Sequence, residues 1–174
     1  MRVLFAALGF WIAAAWLHPL SAEEPWHEVQ SGDDWFAISF PVQPAFSQKL
    51  ARADSNFVVK TWATTRGAVA YNASILIFPP FSGPRDPDTR YYTNLLKAYG
   101  GGAKAEVREQ KKVTVAGHSA VEGIVDNAER NIHFLVDIVS ISDRLYIVAS
   151  GGPSGHEVSE DAVRFRDSFR LTNY

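Results

Sequence analysis

The stretch Ala105–Ser150, AEVREQKKVTVAGHSAVEGIVDNAERNIHFLVDIVSISDRLYIVAS, decides the fold. Short polar breaks at Ala116-Gly117, Asn127–Arg130 and Ser142-Asp143 cut it into Ala105–Val115, His118–Asp126, Asn131–Ser140 and Arg144–Ser150. Each piece is rich in β-branched and apolar residues, and each break carries residues suited to a turn. Connections this short predict an antiparallel meander, because a parallel crossover needs a dozen or more residues.

Upstream, Trp35–Phe40 alternates, with Phe36, Ile38 and Phe40 on one side before Pro41 ends the run. Asn56–Thr65 and Ala68–Phe78 flank Arg66-Gly67 and predict a hairpin. With those two residues as the loop, Trp62 faces Tyr71 and Lys60 faces Ala73. One face then carries Val58, Trp62, Tyr71, Ile75 and Ile77; the other carries Phe57, Val59, Thr61, Asn72 and Ser74. The first is the better core candidate.

Pro79–Pro84 holds three prolines, which remove donors and fix the backbone, so it reads as a loop. Asp86 as N-cap with Pro87 at the first helical position opens a helix whose stripe is Tyr92, Leu95, Leu96 and Tyr99, stopped by Gly100-Gly101-Gly102. A second helix follows Ser154-Gly155-His156-Glu157, with Ser154 or Ser159 as cap and Val158, Ala162, Phe165 and Phe169 as its stripe. The expected class is α+β: an antiparallel sheet of about six or seven strands with two main helices packed on it.

The beginning of the chain reads differently. Arg2, the apolar run Val3–Leu17 and the breaker-containing tail His18–Ala22 have the anatomy of a secretory signal peptide, with cleavage expected after Ala22. A spanning helix needs roughly 20 apolar residues, and Pro19 limits the run. Residues 23–174 then form one α+β domain in the periplasm or outside the cell. A formal net charge of −2 provides no basic footprint for nucleic acid. The absence of cysteine excludes disulfides, thiolate metal sites and thiol nucleophiles.

Few residues suggest chemistry. The histidines lack the spacing of a zinc protease helix. Glu122, His133 and Asp137 make a polar cluster on one side of the meander, although His133 and Asp137 stand about 13 Å apart along one strand. That cluster fits either a functional site or a polar face that is solvated or covered by a helix. Gly100–Gly102 lies between a helix and a strand, the reverse of a phosphate loop. Ser154 lacks the following glycine of a nucleophile elbow. No catalytic set emerges, and no cofactor or metal is implied. The connection Phe78, Pro79, Pro80, Phe81, with Arg85 and Arg90 beyond it, is the candidate contact surface for a protein partner; its bland alternative is loop-to-core packing.

The order of these features resembles the PsbP-like α/β/α sandwich family of small exported proteins. The resemblance is carried by Phe36-Ala37-Ile38-Ser39-Phe40-Pro41, Val113-Thr114-Val115-Ala116-Gly117-His118, Arg144-Leu145-Tyr146-Ile147-Val148 and Phe165-Arg166-Asp167-Ser168-Phe169. It implies a non-enzymatic binding or accessory role, often beside membrane complexes, and no catalytic residues carry over. The alternative expectation is a small-molecule carrier, with ligand between the sheet face of Thr61, Asn72 and Ser74 and a covering helix.

Overall fold

The computed structural model describes residues 25–50, 57–80, 82, 88–115 and 117–172. The segment read as a signal peptide therefore lies outside the described residues, as do Asp86 and Pro87. Among the described residues, no helix is long and apolar enough to cross a membrane.

The strands are β1 (His27–Ser31), β2 (Phe36–Phe40), β3 (Ala45–Leu50), β4 (Val58–Arg66), β5 (Val69–Ile77), β6 (Ala105–Val115), β7 (His118–Asn127), β8 (Ile132–Ile141), β9 (Arg144–Gly152) and β10 (Arg170–Leu171). Helix α1 spans Thr89–Gly100 and α2 spans Glu160–Asp167, with short 3₁₀ turns at Gly102–Lys104 and His156–Val158. A seven-stranded antiparallel sheet has the order β3-β4-β5-β9-β8-β7-β6, and a three-stranded sheet has the order β1-β2-β10. The α+β class, the meander and the two helices are as the sequence predicts. The early strand, however, pairs within the smaller sheet.

The large sheet is the middle of a sandwich. On one side, Tyr92 and Leu96 of α1 pack on Val121, Val125, Val136, Ile138, Leu145, Ile147 and Ala149. On the other, Phe36, Ile38 and Phe40 of the small sheet and Phe165 of α2 pack on Tyr71, Ala73, Ile75, Val139, Tyr146 and Val148. Strand β9 is buried on both faces, which is why its sequence is apolar almost throughout.

The hairpin turn differs from expectation by one position. Arg66 pairs with Val69 and Trp62 with Ala73, so the loop is Gly67-Ala68. Gly67 has φ 61°, and a two-residue turn with a glycine first is the arrangement that matches strand twist without forcing positive φ on Arg66. The register moves by two residues, which leaves every side chain on its predicted face.

One helix cap is relocated, and the other is settled between its two candidates. Asp88, rather than Asp86, caps α1 and accepts from the Tyr91 N–H at 2.7 Å. Ser159, rather than Ser154, caps α2, because the 3₁₀ turn intervenes. That displacement leaves Val158 73% exposed, outside the apolar stripe that Ala162 and Phe165 form. Phe169 nonetheless reaches the core and stacks on Phe36.

Candidate functional site

Period-two alternation places the predicted polar cluster on the face that α2 covers. Val136 and Ile138 of β8 and Val121 and Val125 of β7 point toward α1, so Asp137, His133, Glu122 and Asp126 point the other way. Glu122 lies directly opposite Asp137, and Asp126 opposite His133. The three predicted residues therefore share a face but separate into two groups.

In the first group, Arg166 of α2 reaches down to Glu122, Nη1 to Oε2 at 2.7 Å, while its Nε donates to Asp167 at 2.8 Å. Asp137 sits beside them with Oδ1 sealed from solvent and without a hydrogen-bond partner. Burial pushes its carboxyl up to about 7; Arg166 opposes the rise, and Glu122 and Asp167 add to it.

In the second group, His133 Nδ1 meets Asp126 Oδ1 at 2.7 Å. Arg108 of β6 lies 3.7 Å from the other Asp126 oxygen and hydrogen-bonds the buried Glu157. Burial pushes the Glu157 carboxyl up, but the hydrogen bond and charge of Arg108 outweigh it and hold the group below the ordinary value. Sequence reasoning missed Asp126, Arg108, Arg166 and Glu157. The turn expected at Asn127–Arg130 would set Asp126 across from Asn131; the structure instead pairs Asn127 with Ile132, which sets Asp126 across from His133. Among the described residues, no group of three or more His, Asp or Glu could hold a metal ion.

The other motifs resolve into packing. Gly101 has φ 116° and closes α1, with its N–H directed to Lys97 and Ala98 carbonyls. The buried Asn127 donates to the Gly100 carbonyl at 2.7 Å, tying the helix exit to β7. Ser154 is exposed, whereas His156 is buried with its ring edge against Tyr71 and its Nε2 without a partner. Burial lowers the His156 pKa below the usual imidazole range.

The Phe78 connection divides in the same way. Phe78 is half-buried, stacks on Phe57 with ring centroids 5.5 Å apart, and donates its N–H to the Asp143 carbonyl at 2.8 Å. Pro79 is half-buried, while Pro80 and Arg90 are exposed. Phe81 and Arg85 lie outside the described residues.

The β3–β4–β5 end of the sheet is more open. Helix α1 packs on β6, β7 and β8, so the same face of β3–β5 extends beyond it. There Thr61, Ser74 and Asn72 form a hydrogen-bonded row, 3.1 Å between the two hydroxyls and 2.9 Å from Ser74 Oγ to Asn72 Oδ1. Ala63, Thr65, Asn72 and Tyr99 line an open groove of about 500 Å³ beside this row.

The two edges of the large sheet also differ. Strand β6 carries Glu106, Arg108, Glu109, Lys111 and Lys112, and a register shift interrupts it between Val107 and Glu109. Charges and bulges are the usual protection against strand addition. Strand β3 has all six residues exposed and only Lys49 as a charge, with Phe46 55% and Leu50 58% exposed on one face. Phe46 leans on Trp62, ring centroids 4.9 Å apart. The Leu50 end of β3 and the start of the Phe78 connection lie at the same end of the sheet with β4 between them, because Val58 pairs with Leu50 on one side and Ile77 on the other.

No protein-family model matches the chain, and no curated protein matches it in sequence.

Proposed function

We propose that this chain is an exported, non-enzymatic binding or accessory protein that contacts a protein partner, such as an envelope complex, through the β3 edge and the Phe78–Arg90 connection. The observation that carries this reading is the contrast between edges: β6 is guarded by charges and an irregularity, whereas β3 exposes Phe46 and Leu50 along an unprotected strand. Export rests on the sequence of residues 1–22. The mutual pairing of Glu122 with Arg166 and of His133 with Asp126 supports a structural role for those polar groups. The similarity of feature order to PsbP-like proteins points in the same direction.

The test is affinity capture of the tagged chain with a photo-crosslinking residue at Ser47, alongside Phe46→Asp/Leu50→Asp and Phe81→Asp proteins. A near-stoichiometric protein crosslinked at position 47 and lost in the double variant, with an unchanged melting temperature, supports the reading. Capture that survives all substitutions, or no crosslinked protein at all, overturns it. A carrier role is the second reading, favoured by the polar row and groove beside Tyr99. It predicts a bound small molecule in native mass spectrometry that Asn72→Leu removes.

A further inference from the structure

We propose that the carboxyl of Asp137 is a proton-controlled latch for α2, making this helix a cover over Phe40 and Tyr71 that loosens as the surroundings pass from acid to neutral. Asp137 Oδ1 is sealed from solvent and receives no donor. Such an acceptor is costly when neutral and far more costly when ionised. Glu122 faces it from β7, and Arg166 and Asp167 bear on it from α2. Its register neighbour on β9, Val148, carries no charge.

Arg166 is committed to Glu122 and Asp167, so one guanidinium serves three carboxylates. With all three ionised, the contact beneath α2 holds a surplus of negative charge. Protonation of Asp137 removes one charge and turns the orphaned acceptor group into a donor. Helix α2 has eight residues and buries Ala162 and Phe165. Phe165 lies 5.0 Å from the Phe40 ring and 5.2 Å from Tyr71, centroid to centroid. So short a helix is sensitive to a single unfavourable charge at its contact.

Burial raises the Asp137 titration from 3.8 to about 7 in the closed state. Closure is therefore fully favoured below 3.8 and loses that advantage as pH rises through about 7. Between those limits opening releases close to one proton, so the opening constant rises up to about tenfold per pH unit. His156, in the turn before α2, has the opposite sign: its lowered pKa makes acidification below its ordinary 6.5 favour opening. Substitution at Asp137 separates the two contributions.

The experiment is amide exchange of Ala162–Asp167 in the full chain at pH 5 to 8, corrected for intrinsic chemistry, for wild type, Asp137→Asn and Glu122→Gln, with NMR titration of the Asp137 carboxyl. The latch predicts an opening constant about fiftyfold larger at pH 7 than at pH 5 in wild type, a contribution missing from Asp137→Asn. Glu122→Gln moves the Asp137 midpoint to lower pH. An Asp137 midpoint in the ordinary carboxylate range, or matching pH slopes for wild type and Asp137→Asn, overturns the proposal. Should Asp137→Asn fail to fold, the carboxyl midpoint and its displacement in Glu122→Gln decide.

Discussion

Lys60→Met tests what joins the two sheets. Asp34 follows β1, is only 2% exposed, and receives hydrogen bonds at 2.7 Å from both Lys60 Nζ and Ser31 Oγ. Its backbone carbonyl accepts from Tyr146 Oη at 2.9 Å, which pins the same turn to β9. Methionine keeps most of the lysine stem but removes the charge, leaving a buried carboxylate with one hydroxyl donor. Breaking a buried pair from one side costs about 3–5 kcal/mol. With Lys60 19% exposed, some water reaches the site and the lower end, about 3 kcal/mol, is expected. Domains of this size lose about 2–4 °C per kcal/mol, so the melting temperature should fall by roughly 6–12 °C. Calorimetry of Lys60→Met, Asp34→Asn and the double variant supplies the measurement. The double variant should recover part of the loss, since a neutral amide tolerates the site better. A single-variant loss below about 1 kcal/mol, the range of an exposed pair, would refute the assignment of this contact as the buried tie between sheets.

Two further outcomes follow from packing and charge. Gly123→Ala places a methyl 2.7 Å from both Leu96 δ carbons, and because Leu96 is fully buried the overpacking should cost about 1–3 kcal/mol in urea unfolding. Arg108→Met removes the partner of buried Glu157 and should cost about 1–3 kcal/mol at pH 7, as for a lost hydrogen bond to a charged group. Since the Glu157 carboxyl is held below its ordinary 4.5, its contribution is present above that value and is lost as pH falls through the folded pKa. The gap between wild type and Arg108→Met should thus narrow below pH 4.5, read from urea midpoints at both ends of the range.

Much of the architecture is legible locally. The three meander turns, the faces of the hairpin and the α1 stripe are set by short-range patterns: alternation that buries one side of a strand, helical spacing, and residues that tolerate turn geometry. Even the misplaced hairpin loop left the faces intact, because the error was an even number of residues. The Glu122, His133 and Asp137 side chains were readable as one face for the same reason.

Which neighbours those faces meet is a different matter. Strand β3 has no alternating burial and, among the described residues, pairs only with β4, so nothing in its own residues announces a strand. The pairing of β5 with β9 and the placement of β2 in a second sheet join segments far apart in the chain. His133 turns to Asp126 and Arg166 descends on Glu122 across the fold, leaving Asp137 Oδ1 buried without a donor. The sequence by itself therefore determined most of the elements and the faces they present, since these are written in spacing and composition. The tertiary structure alone decided the exposure of β3, the Asp34–Lys60 tie and the donorless Asp137 Oδ1, because burial and charge pairing arise only when distant segments share one volume.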